Sequence, residues 1–234
     1  MSKILIISGA SRGIGKSTAQ LFIESGYKVV NISRTPSNLD GVVDVAADLS
    51  APLWINQVRD QLSNMLDGIG EIALVHNAGI LIKDRVGDLP QEQLRRVLEV
   101  NVVASSMLND LLIPHMHSGS SIIYIGSTLS EKAVPGNASY VTSKHAVIGL
   151  MRSNCQDLAG TGVHTACICP GFTNTEMLRD NIGDDPQVLD SIASMQTFNR
   201  LVEPEEIAQA IFSVTQQPVF NGAVLHTNLG QVAS

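Results

Sequence analysis

The chain has 234 residues, 44% of them apolar and only 16% charged, with a formal net charge of −7. That length suits one sizeable α/β core rather than two domains, and the sparse charge points to surface covered by further copies of the chain. An acidic balance without a Lys/Arg cluster excludes a nucleic-acid surface. With no apolar run of eighteen residues and no basic leader ahead of an apolar one, the expectation is a soluble cytoplasmic protein without a membrane segment.

In chain order, residues 3–7 (KILII) read as a buried parallel strand. Gly9-Ala10-Ser11-Arg12-Gly13-Ile14-Gly15 follows at once, and residues 16–25 carry a helical pattern stopped by Gly26. A strand, a Gly-rich turn and a helix start form a cradle for a pyrophosphate. Glycine lets the backbone approach, and the first helical N–H groups face the anion. The G-x-x-x-G-x-G spacing differs from the commoner dinucleotide fingerprint but meets the same need.

Residues 28–32 (KVVNI) predict a second strand and 42–45 a brief third, ending near Asp48-Leu49. NAD-selective sites want an acid at the end of the second strand, for the ribose hydroxyls. Here Ser33 stands in that place, Arg34 follows, and Arg12 is a second cation in the glycine loop. Two guanidiniums suit a 2′-phosphate that an acid would repel, so the charge pattern favours NADP over NAD.

A helix over 53–66 and a fourth strand over 71–76 lead into Asn77-Ala78-Gly79. Pro90 opens a long helix through Leu112 that contains Asn101. A fifth strand over 120–126 ends at Ser127. The helix over 139–159 carries Tyr140 and Lys144, four residues apart and so on one face. A free phenol titrates near ~10, and a cation beside it favours the phenolate. One acid–base group, one tuning charge and one orienting hydroxyl are the parts that a carbonyl-reducing site would need.

A sixth strand over 163–169 ends at Pro170-Gly171, and Thr173 and Thr175 follow. Residues 172–199 show no sustained periodicity. The stretch 173–199 is too apolar for a disordered linker and follows the carboxyl end of a strand, so it is read as a lid over a substrate. A helix over 204–214 and a last strand over 222–227 complete the pattern. Strands alternating with helices predict a doubly wound parallel sheet, Rossmann-like, in a three-layer αβα single domain spanning 1–234.

The cysteines, Cys155, Cys167 and Cys169, lack metal-ligand spacing and are each expected to be buried thiols, with 167 and 169 sharing a face. No metal site is expected. No G-x-S-x-G elbow or H-E-x-x-H pattern points to hydrolysis.

Together these elements resemble the short-chain dehydrogenase/reductase family along the whole chain, and most of all its 3-oxoacyl-carrier-protein reductase-like members. The shared wording includes Arg200-Leu201-Val202-Glu203-Pro204. The resemblance implies four catalytic positions. Tyr140 is the proton donor. Lys144 tunes it and bonds the nicotinamide ribose. Ser127 holds the substrate oxygen, and Asn101 relays protons through water to the lysine. It also implies a cofactor site. Gly9, Ser11, Arg12, Gly13, Ile14 and Gly15 form the phosphate loop, Asp48 with Leu49 lies at the adenine, and Asn77, Ala78 and Gly79 lie beside the cofactor. Pro170, Gly171, Thr173 and Thr175 lie at the nicotinamide end. The implied activity is hydride transfer between NADPH and a ketone or secondary alcohol, for example a 3-oxoacyl thioester, in a homotetramer or homodimer. The alternative is a non-catalytic NADP-binding sensor or scaffold. One departure is the C-terminal turn, where His226-Thr227-Asn228-Leu229-Gly230 replaces the usual aspartate-glycine-glycine. Asn228 and Gly230 are expected to preserve its turn chemistry.

Overall fold

The computed structural model describes residues 2–63 and 65–231. The strands are β1 (Ser2–Ser8), β2 (Lys28–Ser33), β3 (Val42–Ala46), β4 (Ile69–His76), β5 (Ser121–Ile125), β6 (His164–Pro170) and β7 (Val224–Thr227). They form one parallel sheet in the order β3-β2-β1-β4-β5-β6-β7. The order reverses between β1 and β4, which opens a crevice at the strands' carboxyl ends.

Successive side chains of a strand face opposite ways, and here both faces are covered. Ile4 and Ile6 of β1 join Leu74 and Ile122 in one core, and Leu5 and Ile7 join Val75 and Ile123 in the other. On the first face lie α2 (Trp54–Leu62), α4 (Ala104–Leu112) and α5 (Ala138–Asp157), through Val58, Leu108, Leu112, Val147 and Met151. On the second lie α1 (Gly13–Glu24) and a helix at Pro204–Thr215, through Phe22, Ile207, Ile211 and Val214. Phe22 and Phe212 meet edge to face with centroids 5.1 Å apart.

The predicted 90–112 helix is interrupted. It runs as α3 (Gln91–Leu98), then a π-helical turn at Glu99–Val103, then α4. Such turns concentrate at functional sites, and this one carries Asn101. The helical stretch Gln91–His115 is long and apolar enough to cross a membrane by length and composition. In the fold its Val97, Ala104, Leu108 and Leu112 are core residues.

Other boundaries also differ from the sequence reading. The first helix starts at Gly13, so Gly13-Ile14-Gly15 at the end of the glycine loop belong to its first turn. The helix expected over 53–66 spans only Trp54–Leu62, and Leu53, in a left-handed conformation (φ 62°), sets its start. Residues 172–199 hold two short helices, α6 (Glu176–Ile182) and α7 (Pro186–Ala193), ahead of α8 (Pro204–Thr215). Cys167 and Cys169 are buried with their sulfurs 3.9 Å apart, but Cys155 is partly exposed, correcting its expected burial. Among the described residues no cluster fits a metal ion. At the C-terminal turn Asn228 Oδ1 accepts from the Gly230 N–H at 3.1 Å, so the expected turn bond forms. Leu229 sits there at φ 51°.

Candidate active site

The crevice opens into a cleft of about 1700 Å³. Every site residue named from the sequence lines it except Asn101.

At the phosphate end, Gly9 leaves β1 at φ 76°, and a Cβ there would lie 2.9 Å from the Ala78 Cα. A Cβ on Gly15 would lie 2.3 Å from the Gly9 carbonyl oxygen and 2.5 Å from Asn77 Nδ2. Only glycine fits at either position. Asn77 Nδ2 donates to the Gly9 carbonyl at 2.8 Å and to that of Ser8 at 3.1 Å. Ser8 Oγ in turn accepts from the N–H groups of Asn77 and Ala78. The ends of β1 and β4 are thereby locked across the crevice. Buried Asn31, hidden in an apolar strand pattern, accepts from the Ala10 N–H at 2.8 Å and donates to Asp44 and Ser33. The residue ahead of α1, Arg12, makes no side-chain cap, so no side chain of that residue takes the helix's first N–H groups. That glycine cradle at an uncapped helix start fits a dinucleotide pyrophosphate.

Ser33 and Arg34 line the cleft at the end of β2. Arg12 is bonded to Asp180 of α6 at 3.1 Å, an exposed pair. Asp48 accepts from the Ser50 N–H and hydroxyl, at 3.0 and 2.7 Å. Those bonds hold its carboxyl below the usual carboxylate range, with attraction from Arg34 added.

At the far end Tyr140 and Lys144 are both buried on α5, with the ammonium 5.5 Å from the phenol ring centroid. Lys144 donates to the Ile125 carbonyl at 2.7 Å. This leaves two of its N–H groups for other partners. Ser127 caps a 3₁₀ turn (Thr128–Ser130), and its Oγ accepts from the Leu129 N–H at 3.1 Å. Its own hydroxyl proton is therefore free to donate. Asn101 binds both sides of the Ile80 peptide, accepting at 2.8 Å and donating at 3.0 Å, and donates to Ser143 at 2.9 Å. It thus reaches the site through Gly79-Ile80. A Cβ on Gly79 would be 3.6 Å from Asn101 Oδ1 and 3.7 Å from Lys144 Nζ. Pro170, Gly171, Thr173 and Thr175 line the cleft as well.

Beneath this end, Cys167 and Cys169 fill the space beside Gly126, where a Cβ would lie 2.8–2.9 Å from either sulfur. Cys169 is the more acidic of the two, through its contact with Cys167 and hydrogen bonds from Ser127 and Ser130.

Several contributors had no periodic signature in the sequence. Asn31, Ser8, Ser143 and Asp84 act through contacts distant along the chain. The cleft wall also includes Leu129, Val134, Phe172, Met177 and Met195.

A family model described as enoyl-(acyl carrier protein) reductase matches residues 9–231. Carbonyl reductase family member 4 of Xenopus tropicalis is 30% identical over 235 residues, covering 96% of each chain. The 3-oxoacyl-[acyl-carrier-protein] reductase of Vibrio cholerae is 29% identical, covering 97% of this chain and 96% of that protein. Among solved structures, a short chain dehydrogenase family protein from Francisella tularensis superposes with a TM-score of 0.90 at 26% identity, covering 98% of both chains.

Proposed function

The chain belongs to the short-chain dehydrogenase/reductase family, and from that premise we propose that it is an NADPH-dependent reductase of ketones that carry an apolar tail, 3-oxoacyl thioesters among them. The observation that carries the reading is the buried Tyr140–Lys144 pair in the cleft, with the hydroxyl of Ser127 lining the same cleft.

The glycine cradle at α1 would hold the pyrophosphate, Arg34 and Arg12 the 2′-phosphate, and Lys144 the nicotinamide ribose. When bound, the nicotinamide supplies a hydride. The chain's own residues do the rest. Ser127 donates a hydrogen bond to the substrate oxygen and fixes it near the phenol. Tyr140 gives its proton to that oxygen as negative charge develops there, and takes a proton back in the reverse direction. Lys144, anchored on the Ile125 carbonyl, holds positive charge beside the phenol and stabilises the phenolate left behind. Asn101 fixes the Ile80 peptide that borders this space.

The selectivity for NADPH rests on Ser33 and Arg34 at the end of β2, where no acid stands to repel a phosphate. The apolar tail rests on Leu129, Val134, Phe172, Met177 and Met195 in the cleft wall. The same family reading carries a homodimer or homotetramer in solution, which sedimentation checks.

The deciding experiment follows NADPH absorbance with a panel of a 3-oxoacyl thioester, a simple aliphatic ketone, a quinone, an aldose and an enoyl thioester. Turnover of the oxoacyl or aliphatic ketone is expected. Tight NADPH binding without turnover of any compound would make the protein a cofactor-binding sensor or scaffold. Turnover of the enoyl thioester alone would move the chemistry to a carbon–carbon double bond.

A further inference from the structure

The catalytic helix begins without a cap of its own. The residue before α5, Asn137, makes no side-chain bond to the helix's first turn and instead donates to the Pro135 carbonyl. An N-terminus left so would expose its first N–H groups. In their place stands Asp84, brought in from the loop after β4. Its Oδ1 accepts from the Ser139 N–H at 3.0 Å, and its Oδ2 accepts from the Ser139 hydroxyl and, at 3.1 Å, from Gln93 of α3. The backbone joins in, since the Asp84 N–H donates to the Gly136 carbonyl at 3.0 Å. Asp84 is 8% exposed and Ser139 is fully buried. Burial works against its charge, and the Ser139 and Gln93 bonds more than offset this, holding the carboxyl below its usual range. A carboxylate at a helix N-terminus is also favoured by the helix dipole.

The contact is one of a pair. Ser139 and Ser143 are four residues apart, so they form a stripe along α5 beside the stripe of Tyr140 and Lys144. Ser143, also fully buried, accepts from Asn101, which grips Ile80, and donates to the Tyr140 carbonyl at 2.8 Å. Segment 80–84 is therefore pinned at both ends to the same stripe, at Ile80 through Asn101 and at Asp84 directly. Two attachment points one turn apart fix the rotation of α5 about its axis. That rotation decides where the Tyr140 phenol points.

We infer that Asp84, acting through Ser139, is a positioning residue that sets the orientation of the Tyr140 phenol from outside its own helix. Its kinetic consequence rests on the reductase reading above; its structural consequence does not.

The test uses Asp84→Ala, Asp84→Asn and Ser139→Ala in the full chain, assayed well below each variant's melting temperature. Asp84→Ala should lower kcat about tenfold to a hundredfold, the range a small misplacement of a reacting group produces, with the NADPH Kd unchanged. Asp84→Asn keeps an acceptor for the Ser139 N–H and should recover part of the loss. Ser139→Ala keeps the backbone bond and should fall between them, so it carries the test if Asp84→Ala does not fold. In parallel, ¹³Cζ-labelled tyrosine resolves the three tyrosines of the chain. The Tyr140 signal should shift or broaden in Asp84→Ala while that of Tyr27 stays in place. If the wild type reduces no ketone, the reductase reading fails and the tyrosine signals still decide the positioning role. An unmoved Tyr140 resonance, or a lowered melting temperature with wild-type kcat, would overturn it and leave Asp84 a stability cap.

Discussion

Arg12 and Asp180 form an ion pair at 3.1 Å that joins the glycine loop to α6. The pair ties up one of the two guanidiniums that a 2′-phosphate would recruit. Asp180→Ala should therefore free Arg12 and tighten NADPH binding while leaving NADH untouched. Both side chains are more than half exposed, and such pairs contribute about 0–1 kcal/mol. The gain should stay within about fivefold. Calorimetric titration with each nucleotide measures it, and equal changes for both would show that Asp180 acts on α6 rather than through Arg12.

The preference for NADPH over NADH should be about 1–3 kcal/mol, the range of charge-assisted hydrogen bonds to a phosphate. Arg34→Asp should erase or reverse it, because a carboxylate repels the phosphate and can accept from ribose hydroxyls. The two dissociation constants for the variant check this, and an unchanged preference would place the phosphate elsewhere.

Tyr140→Phe removes the proton donor and little volume. Turnover should fall at least about a hundredfold with cofactor affinity and melting temperature close to wild type. Steady-state and binding measurements on one preparation separate the two. A variant with near-wild-type turnover would make Tyr140 a packing residue.

Residues 173–199 should be the least protected folded region of the free protein. Neither α6 nor α7 buries a residue fully, and Val188, Met195 and Phe198 expose apolar surface. Few buried contacts mean a low local opening free energy. Hydrogen exchange should slow there when NADPH and a ketone analogue bind. Exchange already slow in the free protein would make the segment a fixed wall.

Stability should fall in mild acid through His76. Burial lowers its pKa from 6.5 to about 4, outweighing the opposing effect of its hydrogen bond to Asn109. Between those values the unfolded chain binds a proton that the folded one refuses, so stability rises with pH. The contribution is complete above 6.5 and is lost as pH falls to about 4, on the order of 3 kcal/mol. Urea melts from pH 7 to 4 should show this slope, and it should flatten in His76→Asn.

Much of the molecule was legible because it repeats. Apolar strands such as residues 3–7 and 71–76, separated by helical patterns, announce a parallel sheet. Glycines at 9, 13 and 15 announce the turn beneath a phosphate, and the interval from Tyr140 to Lys144 places both side chains on one face. The π turn at Glu99–Val103 left no trace, since Leu94, Val97, Leu98 and Val102 satisfy helical spacing with or without it. The cap of α5 was hidden for another reason. Asp84 and Ser139 are far apart in the chain, and a single polar contact has no period to read. The α6 and α7 starts did carry readable chemistry. Thr175 accepts from the Leu178 N–H, and Asp185 ahead of Pro186 accepts from the Gln187 N–H. The irregular apolar pattern around them obscured it.

The placement of β1 also governs how the molecule can assemble. Ile4 pairs on one side with Lys28 and on the other with Ile72. The first neighbour is close along the chain and the second is distant, and closing the longer loop costs more entropy. During synthesis, β1 and β2 can therefore associate early, while the opposite edge of β1 must wait until β4 has emerged. Until then that edge presents unpaired N–H and C=O groups and half-covered apolar side chains, a template for mispairing between chains. The nucleotide crevice opens at that same junction, so a bound cofactor should act late, favouring completed chains over arrested ones.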